Sequence, residues 1–249
     1  MLGVEGKLDR SRLNKFLGTE QSMFAIGVDG CSAGWVSFKF DTSSRATLVE
    51  LIDLPAVLRN HPNDFACVGI DIPIGLLDAP RACDLAARRI LGQPRGSSVF
   101  PTPCRAAVQA GDYEAANTMN RLITGRGMSR QAWCISPKIR QVDEAITPDC
   151  QQWAFEVHPE VCFWALNAKK PMKFRKKTAQ GKADRLALLK GVFPDIERHL
   201  SHRDHHVGVD DVLDAAVAAW TALRMQNGKA ERVCEPEQDE KGLAATIHY

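Results

Sequence analysis

Runs of hydrophobic residues in the first third of the chain predict four β-strands. Residues 23–28 and 66–70 are almost wholly apolar, which is typical of strands that are buried on both faces of a sheet. Residues 33–40 alternate between apolar and polar side chains, and residues 47–54 form another candidate strand. We expect the alternating strands to be antiparallel with one face in solvent, and residues 66–70 to form a central parallel strand.

The rest of the chain predicts helices and one further strand. Residues 153–157 return to strand character, and Gly92 is a stop signal for the helix that precedes it. The predicted helices cover residues 55–60, 81–91, 113–123, 182–190 and 211–225. Three strands followed by alternating strands and helices indicate a mixed α/β sheet.

This pattern predicts one α/β domain over residues 23–226. The stretch from about 93 to 150 is rich in Pro, Gly and Arg, and we interpret it as an irregular insertion between the fourth and fifth strands that carries substrate loops. Residues 1–22 are polar and are expected to be an N-terminal extension outside the fold. Residues 227–249 are also polar and are expected to form a loose C-terminal tail.

Composition narrows the classes of protein without selecting one. The formal net charge is +2, so it gives no global electrostatic reason to bind nucleic acid. The eight cysteines are dispersed without a Cys-x-x-Cys pair, which argues against a zinc ribbon and favours reduced thiols in a cytoplasmic protein. No apolar stretch approaches the roughly 18 residues of a membrane span, and no signal-peptide core is present. We therefore expect a cytoplasmic protein that does not bind membranes.

Two carboxylates end apolar runs, where an open α/β sheet presents groups to a ligand. Asp29 lies in Gly-Val-Asp-Gly-Cys-Ser-Ala-Gly-Trp, whose glycines permit a tight turn and the close approach of a ligand. Asp71 lies in Gly-Ile-Asp-Ile-Pro-Ile-Gly and needs a partner or solvent when it is ionised. Each also suits a turn or a helix cap, and the Asp29 turn would equally suit a phosphate in a phosphotransferase.

A second acidic cluster begins the last predicted helix. Asp210, Asp211 and Asp214 lie in Asp-Asp-Val-Leu-Asp-Ala-Ala, and Asp211 shares a helix face with Asp214 because residues three apart are neighbours. N-capping by Asp210 is a structural alternative, since the helix dipole favours acids in a first turn. Asp214 sits deeper, among small apolar residues, which favours a catalytic or metal-binding role.

Glu156 and His158 share one face of the predicted strand over residues 153–157. Glu156 is a candidate metal ligand or general base, and Glu160 is a candidate cap for the helix that follows. His158 is expected to be structural or to contact substrate, and we do not expect it to be a metal ligand.

Basic residues provide candidate phosphate contacts in two regions. Residues 167–182 contain lysines and arginine without an acid, which is consistent with phosphate binding or with a solvated loop. The candidates are Lys176 and Lys177 there and Lys138 in the insertion. Other cations of the insertion are Arg95, Arg105, Arg121, Arg126, Arg130 and Arg140. Aromatic residues are too few for a base-stacking platform.

Common motifs of other enzyme classes are missing from the sequence. His202, His205 and His206 crowd a polar loop, but their spacing suits a metal site poorly. No Gly-x-Ser-x-Gly elbow, Walker loop or Gly-x-Gly-x-x-Gly motif after a strand occurs. These absences argue against α/β-hydrolases, P-loop enzymes and dinucleotide-binding enzymes.

Taken together, the motifs resemble the domain-of-unknown-function family 429, whose members are described as predicted ribonuclease H-like nucleases. The resemblance extends from about residue 23 to residue 225. It is carried by residues 27–36, 69–76, 81–88, 137–139, 156–160, 176–178 and 210–216.

The resemblance implies a ribonuclease H-like fold, with a five-stranded mixed sheet of order 3-2-1-4-5 flanked by helices. In the Holliday-junction resolvase branch of that superfamily, acids from the first strand, the fourth strand and the last helix bind two divalent ions. The residues that fall on those positions are Asp29, Asp71, Asp211 and Asp214. Glu156 on the fifth strand is additional to that pattern.

The resulting hypothesis is a nuclease that hydrolyses phosphodiester bonds with two Mg²⁺ or Mn²⁺ ions. Asp29 would bridge the ions, Asp71 and Asp211 would complete their shells, and Asp214 or Glu156 would support them. The expected substrate contacts are Lys138, His158, Lys176 and Lys177, and the expected substrate is a nucleic acid or a nucleotide-like molecule.

Two alternatives stay open at this point. One is a phosphotransferase or nucleotide-binding enzyme of the actin-like relatives, which share the strand-turn Asp and glycines. The other is a non-catalytic module on the same fold that binds nucleic acid or protein.

Overall fold

A five-stranded mixed sheet forms the centre of the computed structural model, which describes residues 23–61 and 64–249. The predicted extension over residues 1–22 lies outside the described part. The strands are β1 (Phe24–Cys31), β2 (Gly34–Asp41), β3 (Thr47–Ile52), β4 (Phe65–Ile70) and β5 (Ala154–Glu156). Their order is β3-β2-β1-β4-β5, with β2 antiparallel to β1 and β3, and with β4 parallel to β1 and β5. The predicted strand order is confirmed.

Helices pack on both faces of this sheet. They are α1 (Leu54–Asn60), α2 (Ala82–Arg95), α3 (Arg105–Val108), α4 (Tyr113–Thr124), α5 (Arg130–Ala145), α6 (Pro159–Leu166), α7 (Ala179–Lys190), α8 (Ile196–Ser201) and α9 (Val209–Gln226), with 3₁₀ turns at Gly96–Ser98 and Pro148–Gln152. As predicted, α2 is interrupted at Gly92, which has a positive φ of 58°. One core lies between the sheet, α1 and α5, and the other lies between the sheet and α6 to α9. No described helix combines the length and apolar character needed to cross a membrane.

Two glycines let α9 approach the central strands unusually closely. Gly27 of β1 is directly opposite Gly69 of β4 in the parallel register. A Cβ atom on Gly27 would overlap the backbone of Ala215 and Ala219, and one on Gly69 would lie 2.8 Å from the Ala218 carbonyl oxygen. The small side chains of α9 therefore pack directly on the strand backbones.

The pattern Gly-x-Asp occurs at the same place in both strands, in Gly27-Val28-Asp29 and Gly69-Ile70-Asp71. Because side chains alternate along a strand, each Asp is directed to the face on which its glycine meets α9. Since Gly27 pairs with Gly69, the register also brings Asp29 next to Asp71. The close packing of the helix thus positions its first turns beside both carboxylates.

The segment between β4 and β5 is more helical than its irregular sequence indicated: α4 matches the helix predicted over residues 113–123, whereas α5 was not predicted. α5 has sixteen residues and includes Pro137, which cannot donate an intrahelical hydrogen bond. The helix tolerates this loss because Ile139 and Val142 are fully buried in the core and because the Ser129 side chain caps its first turn, accepting a hydrogen bond from the Ala132 N–H at 3.0 Å.

The expectation of a loose C-terminal tail is also wrong. Leu243, Ala245 and Ile247 are at most 1% exposed, so the end of the chain is part of the core. The His248 N–H donates to the Glu156 carbonyl oxygen at 3.0 Å, which extends the hydrogen bonding of the sheet beyond β5. The sequence contains a signal for this packing, because residues 243–247 are apolar except for Thr246.

The predicted solvent face of β2 is covered instead. Ser37 is fully buried and donates a hydrogen bond to the Glu50 carbonyl oxygen at 3.3 Å. Lys39 forms an ion pair with Glu50. The alternation correctly indicated antiparallel pairing, but it did not predict that helices cover both faces.

We expect Gly27→Ala to lower the free energy of unfolding by about 1–3 kcal/mol or to prevent folding, because the added methyl group forces α9 away from β1. Urea denaturation monitored by circular dichroism would measure the effect. Gly111→Ala is the matched control, because no atom lies within 4 Å of the added methyl group there. Equal stability of the two variants would contradict the close packing.

Candidate functional site

Three carboxylates from three elements meet beside the end of the central strands. Asp29 lies near the end of β1, Asp71 directly follows β4, and Asp214 lies in the second turn of α9. One oxygen from each carboxylate lies within 4.8 Å of the others. We call Asp29, Asp71 and Asp214 the carboxylate triad. Asp29 and Asp214 are 7% and 1% exposed, and Asp71 is half-buried.

The electrostatic environment of the triad opposes ionisation of all three groups. Burial raises the pKa of Asp29 well above its usual range, and the charges of Asp71 and Asp214 raise it further. Burial, followed by the charge of Asp214, raises the pKa of Asp71 to about 7. Burial also raises the pKa of Asp214. When all three groups are ionised, the arrangement concentrates negative charge that a positive partner would compensate.

Lys176 is the positive partner that the described residues supply. Its Nζ lies 2.5 Å from Oδ2 of Asp214, and the charge of Lys176 lowers the pKa of all three triad carboxyl groups. The Asp214 and Asp29 charges raise the pKa of Lys176 above its usual range despite its burial, so Lys176 stays charged. One ammonium group faces three carboxylates, which leaves the triad short of positive charge.

Asp211 lies beside the triad but caps the helix. Its Oδ2 accepts a hydrogen bond from the Gly208 N–H at 2.9 Å, at the start of α9. Asp210, the predicted cap, instead lies 3.9 Å from Nζ of Lys182. These contacts favour a capping role for Asp211 over the predicted role as a metal ligand, although Asp211 still lines the cleft described below.

Glu156 is held by a buried arginine and does not join the triad. Its Oε1 lies 2.5 Å from Nη2 of Arg81, while Oε2 accepts from Nη1 of Arg81 at 2.9 Å and from the Ile74 N–H at 2.6 Å. Burial raises the pKa of Glu156 to about 7, against the lowering effect of Arg81. Both oxygens have strong donors, which favours a structural role over the predicted catalytic one.

His158 presents an unpartnered nitrogen near the triad. Burial, followed by the charge of Lys176, lowers its pKa to about 4, so the imidazole is neutral at pH 7. Nδ1 is buried and has no hydrogen-bond partner among the described residues. A polar ligand that reaches this nitrogen would supply the missing partner, and the substrate contact by His158 stays a prediction.

The triad lines an open cleft with a volume of about 540 Å³. Glu156 lines the same cleft, and so do four other predicted site residues: His158, Lys176, Lys177 and Asp211. Lys138 does not line it. The Lys138 side chain packs against Gly30 and donates to the Gly34 carbonyl oxygen, and its Nζ lies 4.6 Å from the centre of the Trp35 ring. This setting favours a structural role for Lys138.

The family described as "Protein of unknown function (DUF429)" matches residues 27–239. The chain belongs to the DUF429 family. The resemblance to this family that the sequence motifs carry is thereby confirmed, and the match includes every residue of the triad. No curated protein and no solved structure matches the chain. DUF429 membership supplies no activity, so the function has to be argued from the site.

Two arginines in or beside the cleft carry no functional signal in the sequence of this DUF429 chain. Arg81 is 1% exposed and holds Glu156, and Arg95 is 8% exposed and lines the cleft. Arg81 lies 75 positions from Glu156 in the chain, so no local spacing reveals the pair. Arg95 appeared only as one of several cations of the insertion, without a signal to distinguish it.

The donor set of the triad fits a hard divalent cation. Carboxylate oxygens are the protein ligands that Mg²⁺ and Mn²⁺ prefer, and these ions keep several water molecules when few protein ligands are present. The excess of negative charge around Lys176 also favours a cation. No described histidine or cysteine belongs to this group of ligand atoms, so a zinc-type donor set is not present there.

We expect Asp71→Asn to stabilise the metal-free protein by about 1–3 kcal/mol at neutral pH. The pKa of Asp71 is raised from 3.8 to about 7, so the folded state binds this proton more tightly than the unfolded state does. The wild type therefore loses stability as pH rises from about 4 to about 7, and the variant lacks this loss. Urea denaturation with a chelator, at about pH 5 and about pH 8, would measure the difference.

Asp78→Asn is the control, because Asp78 is exposed and lies outside the cleft lining. If Asp71→Asn stabilised the protein relative to wild type by the same amount at about pH 5 and about pH 8, the charge repulsion assigned to the triad would be contradicted.

Proposed function

We propose that this protein is a divalent-metal-dependent phosphodiesterase that acts on a nucleic acid or a nucleotide-like substrate. The convergence of Asp29, Asp71 and Asp214 supports this proposal most strongly, because three buried or half-buried carboxylates within 4.8 Å carry a charge that Mg²⁺ or Mn²⁺ compensates. The cleft is open, and Lys176 and Lys177 line it beside the acids. Cations beside a carboxylate site suit a substrate with phosphate groups.

Each triad residue has a defined part in this function. Asp29, Asp71 and Asp214 would hold the ion, which when bound supplies Lewis acidity to a phosphate oxygen and lowers the pKa of a coordinated water. Lys176 has an ammonium group that reaches Asp214 and remains charged, so it offers a phosphate oxygen a charge-assisted hydrogen bond. Nδ1 of neutral His158 lacks a partner and can form a hydrogen bond with a hydroxyl group or a water.

The sheet order is the one that the ribonuclease H-like resemblance implies. Acids at the end of the first strand, after the fourth strand and on the last helix also agree with that resemblance. The prediction of two ions needs ligands beyond the triad, and Asp211, which lines the same cleft, is a candidate. The binding stoichiometry therefore tests the two-ion mechanism separately from the presence of a site.

One observation favours a second candidate function, a non-catalytic binding module. The ammonium group of Lys176 already contacts Asp214, as it would in a site where lysine replaces a metal ion. In that case the cleft would bind a ligand without any divalent cation. No contact in the cleft specifically favours the actin-like phosphotransferase alternative.

The cellular setting belongs to the proposal as well. All eight cysteines lie among the described residues and are free thiols, and most of them are buried. This distribution supports the predicted cytoplasmic location.

We expect Mn²⁺ to bind wild-type protein in calorimetric titration, and we expect Asp29→Asn and Asp214→Asn each to abolish this binding because each removes a ligand charge from one centre. Cleavage of single-stranded and double-stranded oligonucleotides in Mn²⁺ should disappear in the same variants. Asp78→Asn should retain both properties, since Asp78 lies outside the cleft lining.

Lys176→Met separates the two candidate functions. The phosphodiesterase proposal predicts that this variant still binds Mn²⁺ but cleaves at least about tenfold more slowly, because a charge-assisted hydrogen bond to phosphate is lost. Absence of Mn²⁺ binding in wild type and in Lys176→Met, both with and without an oligonucleotide, would exclude the metal-dependent function and favour the binding module.

A further inference from the structure

Arg95 differs from the other buried arginines of the structure because its guanidinium has no partner. Arg81 is 1% exposed and binds Asp84 and Glu156. Arg185 is also 1% exposed and binds Glu160 at 2.5 Å. Arg95 is 8% exposed, yet its side chain forms no hydrogen bond or ion pair with any residue in 23–61 or 64–249, and its Nε is fully buried without a partner.

The backbone holds Arg95 at the cleft. α2 breaks at Gly92, and Arg95 is the last residue before the 3₁₀ turn at Gly96–Ser98. The Ser98 hydroxyl donates to the Arg95 carbonyl oxygen at 2.6 Å, and the Ser97 hydroxyl donates to the Pro94 carbonyl oxygen at 2.8 Å. These bonds fix the turn, and Arg95 lines the same cleft as the carboxylate triad.

No acid of the cleft neutralises Arg95. Asp84 also lines the cleft, but its Oδ1 accepts from Arg81 and its Oδ2 accepts from the Thr102 N–H at 2.9 Å. A buried cation without a partner strongly opposes folding, so such a residue normally forms an ion pair, as Arg81 and Arg185 do. An anionic ligand would remove this cost by supplying the missing acceptor.

The chemistry of the group indicates which anion suits it. A guanidinium presents a planar set of N–H donors that binds two oxygens of a phosphate at once. Arg175 and Lys177 line the cleft as well and add positive charge to it. A phosphate group is therefore better suited to this part of the cleft than a neutral ligand is.

We propose that Arg95 forms an anion subsite that binds a phosphate group of the substrate beside the carboxylate triad. That the bound phosphate belongs to a substrate rests on the proposed phosphodiesterase function. That Arg95 binds an anion does not rest on it. The phosphate belongs either to a mononucleotide or to a nucleic-acid strand, and both present the same oxygens to the guanidinium.

Arg95→Met tests the subsite, because methionine retains much of the apolar stem and removes the guanidinium. The ligands for calorimetric titration are inorganic phosphate, a nucleoside monophosphate and a short single-stranded oligonucleotide. For each ligand that the wild type binds, the affinity of Arg95→Met should be lower by about tenfold or more. Tighter wild-type binding of the monophosphate than of the oligonucleotide would identify a mononucleotide subsite, and the reverse order would identify a strand subsite. Arg95→Lys should recover part of the affinity, since it restores the charge but not the planar set of donors.

A second measurement uses stability in the absence of ligand. Arg95→Met should raise the melting temperature because it removes an unpaired buried charge, whereas Arg185→Met should lower it because Glu160 would lose its partner. Arg89→Met is the control for phosphate binding, since Arg89 is an exposed residue of the same helix and lies outside this cleft.

The outcomes separate this proposal from the proposed function. Loss of phosphate binding in Arg95→Met, together with its retention in Asp214→Asn, supports the subsite even when no cleavage is found. Phosphate and oligonucleotide binding that is equal in wild type and Arg95→Met, or absent from wild type, would overturn the subsite. A lower melting temperature of Arg95→Met would likewise contradict an unpartnered guanidinium.

Discussion

The direct packing of α9 on the backbones of β1 and β4 is the constraint on which the rest of the site depends. Gly27 and Gly69 face each other across the parallel strands, and the alanines of α9 occupy the space that their side chains would need. Two residues further along each strand, the same face carries Asp29 and Asp71. Asp214 of α9 reaches both only because the helix lies so close to the sheet.

This packing brings together three carboxyl groups whose negative charge the chain compensates only in part. The charge of Asp214 raises the pKa of Asp29 and of Asp71, the charge of Asp71 raises that of Asp29, and Lys176 opposes these effects with a single positive charge. Elsewhere in the same cleft, Arg95 is buried without an acid. The uncompensated negative charge of the triad and the unpaired positive charge of Arg95 each destabilise the folded state. A ligand that supplies a cation to the triad and a phosphate to Arg95 would neutralise both charges. Arg185, by contrast, forms its ion pair with Glu160 within the chain.

The fold was largely predictable because its signals are local. Apolar runs predicted β1 and β4, alternation predicted the antiparallel strands, and the last helix was predicted over residues 211–225, within the observed α9. Within the insertion, α5 was not predicted because Pro137 and scattered arginines resemble a loop, while the burial of Ile139 and Val142 that stabilises α5 depends on distant partners. Within the site, Asp29, Asp71 and Asp214 were predicted from their positions at strand ends and on the helix. The pairing of Glu156 with Arg81 and the isolation of Arg95 arise from tertiary contacts that no spacing encodes.

The most direct test of whether the carboxylate triad binds a divalent cation is a crystal structure determined after soaking with Mn²⁺, with anomalous scattering used to locate the metal. We expect an anomalous peak coordinated by oxygens of Asp29, Asp71 and Asp214, with the Lys176 ammonium displaced from Asp214. A cleft without a peak at full Mn²⁺ saturation, or a peak only at the exposed group of Asp204, His205 and His206, would contradict it.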